Sequence, residues 1–243
     1  MRILYLEGDA ASPKYVRGAL RHLRFDVELA TEPPPRDLGS CDLYLLSDMP
    51  AERVPHDTMR AVEEEVRRGA GLLMVGGWLS FGRGGYARTV LGNALPVTMR
   101  DGDDREAAPS GAWLVPAERA PLTDGLPWDR PPVVTGWNKV ASKVGGRVLV
   151  EARPLQAGRE GPRLTGARVP ILVVGKHGDG RTAALATDLA PHWSGGWTDW
   201  GSPSYDVGEG EELGAAYIDF LGRLCRWLME PRGEQAEAAQ ATP

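Results

Sequence analysis

The sequence predicts an α/β fold, a three-layer sandwich in which a mostly parallel sheet lies between two layers of helices. Two observations support this prediction. Residues 1–75 alternate short apolar runs, typical of buried strands, with segments whose apolar residues recur at helical spacing. Residues 96–166 have a looser pattern and are rich in Pro and Gly, which predicts a β-rich extension of the sheet.

The amino-terminal part predicts the order β-α-β-β-α-β. Each predicted strand is a short apolar run, and each predicted helix places its apolar residues on one face. The strands are predicted at residues 3–6, 25–30, 43–47 and 72–75, and the helices at residues 13–23 and 55–68. Because strands that alternate with helices pair in parallel, these four strands should form the centre of the sheet.

The carboxy-terminal part predicts a hairpin, a long helix and a tail. Residues 169–174 and 182–186 are two β runs joined by a Gly-Asp-Gly turn. Residues 211–229 have the apolar stripe of a helix, and Pro231 ends it. The small and polar residues 231–243 predict a disordered tail, so that one domain covers residues 1–230.

The composition argues against several classes of protein. A net charge of −5 with no block of Lys or Arg argues against nucleic-acid binding. No run reaches the ~18 apolar residues that span a bilayer, and the amino terminus lacks the apolar stretch of a signal peptide. The two cysteines, Cys41 and Cys225, belong to no zinc or redox pattern. We therefore expect a cytoplasmic protein with no membrane partner.

The predicted site is a cleft at one edge of the sheet, because ligands of open parallel sheets bind at the carboxyl ends of the strands. Four segments come directly after predicted strands. They are Glu7 with the residues after it, Asp48 with its turn, the Gly-rich residues 76–86, and residues 186–200. The four segments converge only if the second strand of the hairpin ends at the same edge of the sheet as the others.

Three short motifs in these segments resemble those of a known family. Leu-Ser-Asp-Met-Pro (46–50), Gly-Gly-Trp-Leu-Ser (76–80) and Asp-Leu-Ala-Pro-His-Trp (188–193) have the order of the oxyanion turn, nucleophile elbow and strand-end histidine of class I glutamine amidotransferases. The patterns G-G-x-x-S-F-G-x-G-G-Y and D-x-x-P-H-W are closer to a glutamine amidotransferase-like branch related to ThuA-like, trehalose-utilisation proteins. The resemblance runs from residue 1 to about residue 230 and implies a flavodoxin-like sheet.

The sequence departs from this family at the residues that do the chemistry. The resemblance aligns the nucleophile position with Gly77, and a glycine cannot attack an amide as a cysteine thiolate does. His192 matches the catalytic histidine, while Ser194 stands where the orienting acid should be. We therefore expect no glutaminase activity by the family mechanism.

Three residues are candidates for catalysis, each with a structural alternative. His192 could be a general base or a hydrogen-bonded loop residue, Asp48 could contact a ligand or cap an Asx turn, and Ser80 could be a nucleophile or a helix cap. The candidate ligand contacts are Glu7, Gly76, Gly77, Trp78, Phe81, Arg83, Asp188 and Trp193. No metal-ligand spacing and no phosphate-loop or dinucleotide pattern is present, so no metal and no cofactor is predicted.

Three functions remain open from the sequence. The preferred one is a protein that binds a small polar, sugar-related ligand in the cleft, with the tryptophans of residues 193–200 as stacking walls or as a subunit contact. The second is a hydrolase or isomerase that uses His192 with Asp48 or Asp188, either alone or together with a metal ion. The third is a structural role as a subunit of a homo-oligomer.

Overall fold

The computed structural model describes residues 1–9, 13–32, 40–159, 161–193, 197–208 and 210–230. Its strands are β1 (Arg2–Glu7), β2 (Asp26–Ala30), β3 (Leu43–Ser47), β4 (Gly71–Val75), β5 (Val97–Met99), β6 (Arg105–Pro116), β7 (Val133–Asn138), β8 (Val140–Ser142), β9 (Arg147–Gln156), β10 (Arg163–Leu164), β11 (Val169–His177), β12 (Gly180–Leu185), β13 (Ser204–Asp206) and β14 (Glu212–Gly214). Its α-helices are α1 (Pro13–His22), α2 (His56–Arg68), α3 (Val90–Ala94) and α4 (Ala215–Met229). The predicted tail, residues 231–243, lies outside the described residues.

The architecture is a mixed α/β fold built on one large sheet. Its ten strands lie in the order β2-β1-β3-β4-β12-β11-β9-β6-β7, with β10 beside β9. The strands from β2 to β12 in this order are parallel, which is the strand order of flavodoxin-like sheets. The expectation of a mostly parallel sheet holds for this half alone, because β11 and the strands of the predicted extension run antiparallel to their neighbours.

The hairpin of β11 and β12 decides where the last parallel strand ends. Gly178 turns the chain with a φ of 58°, and β12 then returns to pair in parallel with β4, where Leu185 lies opposite Val75. The same register continues across the sheet, with Ser47 opposite Val75 and Glu7 opposite Ser47. The four carboxyl ends therefore lie at one edge of the sheet, which is the condition on which the predicted cleft depends.

The four central parallel strands, β1, β3, β4 and β12, are buried on both faces because their side chains alternate between two apolar clusters. On β1, Ile3 and Tyr5 enter one cluster together with apolar residues of α1 and α4. Leu4 and Leu6 enter the other cluster together with residues of α2 and α3. The strands β3 and β4 are buried at every position, which explains why their sequences are nearly continuous apolar runs.

Two predicted helical features are wrong in detail. The longest helix, α4, begins at Ala215 rather than at residue 211, because Glu212–Gly214 forms β14 and pairs antiparallel with β13. No helix begins at Ser80, because the next residue, Phe81, has a φ of 47°. The next helical turn is the short 3-10 helix at Tyr86–Arg88. Within the described part of the chain, no helix has the length and apolar character needed to cross a membrane.

Two tryptophans of the tryptophan-rich segment, Trp197 and Trp200, are packed into the core rather than exposed. Trp197 is 1% exposed, its ring is stacked on Trp200 with centroids 5.7 Å apart, and it packs edge-on against Phe220 of α4 at 5.0 Å. The expectation that this segment supplies a stacking wall or a subunit contact is therefore wrong for Trp197. Trp78, by contrast, is 51% exposed.

Trp197→Ala should lower the free energy of unfolding by about 3–5 kcal/mol, because it leaves a cavity at a fully packed position. Urea denaturation followed by circular dichroism measures this change. Trp78→Ala is the matched control and should change the free energy of unfolding by about 0.5 kcal/mol or less, since its side chain is half exposed. Equal effects of the two substitutions would contradict the core placement of Trp197.

Candidate active site

The ends of β1, β3 and β12 bring three carboxylates and one histidine together. One possible ligand atom from each of Asp48, Asp188 and His192 lies within 4.8 Å of those of the other two. Asp9, which follows β1, places its Oδ2 3.2 Å from Nε2 of His192. We refer to Asp9, Asp48, Asp188 and His192 as the strand-end cluster.

The carboxylate of Asp48 occupies the space that a side chain at residue 77 would need. A Cβ atom added to Gly77 would lie 2.3 Å from Oδ1 and 2.4 Å from Oδ2 of Asp48. Asp48 reaches this position from a left-handed backbone with a φ of 46°, a conformation that Asp adopts more readily than most residues. The carboxylate at this point of the cleft therefore comes from the end of β3 and not from the end of β4.

Two hydrogen bonds fix Asp48 against the Gly-rich turn. The Leu79 N–H donates to Asp48 Oδ1 at 2.7 Å, and the Asp48 N–H donates to Ser80 Oγ at 3.1 Å. Ser80 is 2% exposed, so its hydroxyl holds the backbone of Asp48 from inside the protein. Burial raises the pKa of Asp48 to about 6. The second oxygen, Oδ2, accepts no hydrogen bond from any residue that the structure describes.

His192 is held between two carboxylates. Its Nδ1 lies 2.7 Å from Oδ2 of Asp188, and its Nε2 faces Asp9. Asp188 is 4% exposed, and its other oxygen accepts the Ala190 N–H at 2.8 Å. The hydrogen bond with Asp188 raises the pKa of His192 to about 9, while burial raises the pKa of Asp188. An orienting acid is thus present four residues before His192 instead of two residues after it.

Glu7 lies beneath the cluster. It is fully buried and accepts hydrogen bonds from the Tyr5 hydroxyl at 2.5 Å and from the Asp9 N–H at 3.0 Å. Burial raises the pKa of Glu7 to about 7. Its contacts therefore position Asp9, and through Asp9 they support the Nε2 side of His192.

Two residues that the sequence did not single out hold the Gly-rich turn in place. Asn138, the last residue of β7, accepts the Gly77 N–H at 3.0 Å and donates to the Gly77 carbonyl at 3.3 Å. Asp104 accepts hydrogen bonds from Asn138 Nδ2 and from the Gly82 and Arg83 N–H groups, at 2.9 to 3.1 Å. Both side chains are fully buried. No local pattern links Asn138 to a turn 61 residues away.

The other predicted ligand contacts differ in their accessibility. Trp78 and Arg83 are exposed, and Trp193 is half-buried. Phe81 is fully buried in the apolar cluster that includes α2 and α3. Gly76 lies against the backbone of the chain leaving β12, where a Cβ atom would come within 2.5 Å of a carbonyl oxygen. A ligand could therefore reach Trp78, Arg83 and Trp193 from the solvent, whereas Gly76 and Phe81 are packed inside the protein.

The strand-end cluster combines an oriented imidazole with buried carboxylates and contains no thiol. Cys41 precedes β3, at the opposite edge of the sheet, and Cys225 is buried in α4. Imidazole and carboxylate groups transfer protons to and from ligands. The same nitrogen and oxygen atoms are ones that divalent cations bind.

A flavodoxin-like half-sheet with turns after β3 and β4 and a histidine after β12 at one edge is the arrangement that the resemblance to class I glutamine amidotransferase-like proteins implies. The chain belongs to the family described as "Putative glutamine amidotransferase", whose family model matches residues 36–205. The matched range includes all three motifs that carry the resemblance.

Solved structures with a similar fold come from several bacteria. Cytoplasmic Protein STM3548 from Salmonella typhimurium is 22% identical with a TM-score of 0.74, and the match covers 94% of this chain and 99% of that one. Cytoplasmic Protein STM1381 from Salmonella typhimurium LT2 is 24% identical with a TM-score of 0.71, covering 95% and 100%. A "Putative thua-like protein" from Parabacteroides merdae is 16% identical with a TM-score of 0.57, covering 94% and 90%.

A comparison with curated proteins gives no match. At these identities the solved structures establish the fold. The predicted resemblance to glutamine amidotransferase-like and ThuA-like proteins is confirmed.

In chelator-treated protein, the imidazole of His192 should titrate with a pKa of about 9, above the ordinary value of 6.5, because the protonated ring donates to Asp188. Proton NMR of the ring signals measures this pKa. Asp188→Asn should lower it, while Glu63→Gln, beside His177, should not change it. Since the folded-state pKa is the raised one, the contribution to stability is complete below about pH 6.5 and is lost as the pH rises through about 9. An ordinary pKa for His192 in the wild type would contradict this geometry.

Gly77→Ala should lower the free energy of unfolding by about 1–3 kcal/mol, because the new methyl group overlaps the Asp48 carboxylate. Gly166→Ala is the matched control, since a Cβ atom there meets no heavy atom within 4 Å. Adding Asp48→Gly to Gly77→Ala should recover part of the loss. Strictly additive effects in denaturant unfolding would show that the two residues do not compete for one space.

Proposed function

We propose that the protein is a hydrolase or isomerase that acts on a small polar, hydroxyl-bearing ligand in the strand-end cleft and does not release ammonia from glutamine. The observation that supports this proposal most directly is the Asp48 carboxylate, which fills the space of a residue-77 side chain beside His192. A carboxylate and an imidazole that reach the same ligand can donate and accept protons at it.

Access and orientation support the assignment of roles. The His192 side chain is 26% exposed and that of Asp9 is 37% exposed, so a ligand can reach both. Asp188 is bonded to Nδ1 and buried, which makes it the orienting group. Nε2 of His192 and the carboxylate of Asp48 are then the groups that contact the reacting atoms.

The ligand class is inferred from the rim of the cleft. Trp78 follows Gly77 directly and exposes half of its indole, and its ring is braced by the Arg105 guanidinium at 4.8 Å. An exposed aromatic side chain adjacent in the chain to Gly77 suits a sugar-like molecule, whose C–H face could pack on the ring while its hydroxyls donate to the cluster's oxygens. A cytoplasmic location is part of the proposal, and the two Salmonella proteins of similar fold are named cytoplasmic proteins. Assembly as a homo-oligomer stays a prediction.

Asp48→Asn and His192→Gln should each reduce turnover by about 10²–10⁴-fold, the usual contribution of a proton-transfer group. The assays are hydrolysis of p-nitrophenyl esters and glycosides, and aldose–ketose interconversion followed by NMR. His177→Gln is the matched control, because His177 pairs with Glu63 at 2.5 Å outside the cluster and its loss should leave turnover unchanged.

Ammonia release from glutamine is measured in parallel, and none is expected from the wild type. Glutaminase activity, or turnover that survives in both cluster variants, would falsify the proposed function. Asp48→Asn keeps the oxygen that accepts the Leu79 N–H, and circular dichroism verifies that both variants fold.

A further inference from the structure

We propose that the strand-end cluster binds one divalent transition-metal ion, with Asp48, Asp188 and His192 as its protein ligands. The inference rests on the proposed function in that it uses the same cleft, and it adds the ion that would activate a water or ligand oxygen there. Each of the three residues offers one atom, an imidazole nitrogen or a carboxylate oxygen, and these atoms lie within 4.8 Å of one another.

The spacing of the three ligand atoms is close to that of a coordination sphere. Two ligands bound about 2.1 Å from one ion in tetrahedral geometry lie about 3.4 Å apart. The widest pair would therefore need to close by about 1.4 Å or less, starting from the limit of 4.8 Å. A rotation of one side chain supplies a movement of this size.

The chemistry of the ligands selects the class of ion. One nitrogen with carboxylate oxygens suits Zn²⁺ or Mn²⁺, whereas Mg²⁺ and Ca²⁺ prefer oxygen ligands alone. Asp9 adds a further carboxylate next to Nε2 of His192. Three carboxylates against one imidazole leave the cluster with an excess of negative charge when all four groups are ionised, which favours a cation.

The second, independent observation is the state of the Asp48 carboxylate. The residue is 4% exposed, and only its Oδ1 accepts a hydrogen bond from the residues described. Oδ2 is reached by solvent rather than enclosed by protein, so water or a cation in the cleft can satisfy it. Oδ2 is thus a ligand atom that the protein itself leaves available in the cleft.

The surroundings of the cluster hold its ligands in place. Asp48 is fixed by Leu79, and Asp188 by Ala190, through backbone N–H groups. The space for the Asp48 carboxylate exists because residue 77 is a glycine. Asn138 holds that glycine by hydrogen bonds to both its N–H and its carbonyl oxygen. Such supporting hydrogen bonds are what orients the ligands of metal sites.

An ion at this site would change the role of His192. As ligands, His192 and Asp48 would act on the reacting molecule through the ion, which would polarise the water or ligand oxygen beside them. The proposed function and this inference therefore share residues but differ in their response to chelators, which lets one experiment separate them.

The test is isothermal titration calorimetry of ZnCl₂ and MnCl₂ into the full chain after treatment with EDTA and dialysis. We expect one ion per chain, with Mg²⁺ and Ca²⁺ binding at least tenfold more weakly. Asp48→Asn and His192→Gln should each weaken binding at least tenfold, and His177→Gln should not. No saturable binding of Zn²⁺ or Mn²⁺, or binding that neither cluster variant weakens, overturns the inference.

A measurement on the wild type guards against variants that do not fold. Mn²⁺ should broaden the NMR ring signals of His192 at substoichiometric concentration while leaving those of His22, His56 and His177 sharp, because relaxation falls steeply with distance from the ion. Equal broadening of all four histidines overturns the inference. Turnover that persists in EDTA and is lost in the cluster variants also overturns it, and leaves the proposed function standing. Specific ion binding together with ammonia release from glutamine overturns the proposed function and leaves this inference standing.

Discussion

The parallel pairing of β12 with β4 is the constraint on which the site depends. Because Leu185 lies opposite Val75, the chain leaves β12 at the edge where β1, β3 and β4 also end. A strand running in the opposite direction would carry Asp188 and His192 to the far edge of the sheet, about 17–20 Å away for a strand of this length. The reversal of the chain at Gly178 therefore decides at which edge of the sheet Asp188 and His192 lie.

At that edge, a side chain at residue 77, after β4, and the carboxylate of Asp48, after β3, would need the same space. The family motif places the functional side chain after β4, but here Gly77 leaves that position vacant and Asp48 fills it from β3. The two residues are therefore one structural unit. A cysteine at residue 77 would meet the Asp48 carboxylate, so the present packing around Gly77 leaves no room for a thiol there.

The extension of the sheet takes part in the site although it carries none of the motifs. Asp104 precedes β6 and Asn138 ends β7, and together they hold the backbone of the Gly-rich turn through buried hydrogen bonds. Glu7 has a similar function beneath Asp9. These buried polar groups fix the carboxylates and the imidazole before any ligand arrives, which both proton transfer and metal binding need.

Local residue patterns were enough to predict β1, β3, β4 and the hairpin, because periodicity and apolar runs report burial directly. They were also enough for the family, and they supplied Asp48 and His192 as candidates, since both depend on motifs within a few residues. Only the tertiary structure showed that Asp48 fills the space at Gly77, that Asp188 orients His192, that Asn138 holds the turn and that Trp197 is a core residue. The physical reason is that, apart from the pairing of Asp188 with His192, these relations join distant segments, and strand order and register bring such segments together. Even that pair depends on which of several nearby polar groups the folded loop turns toward the imidazole.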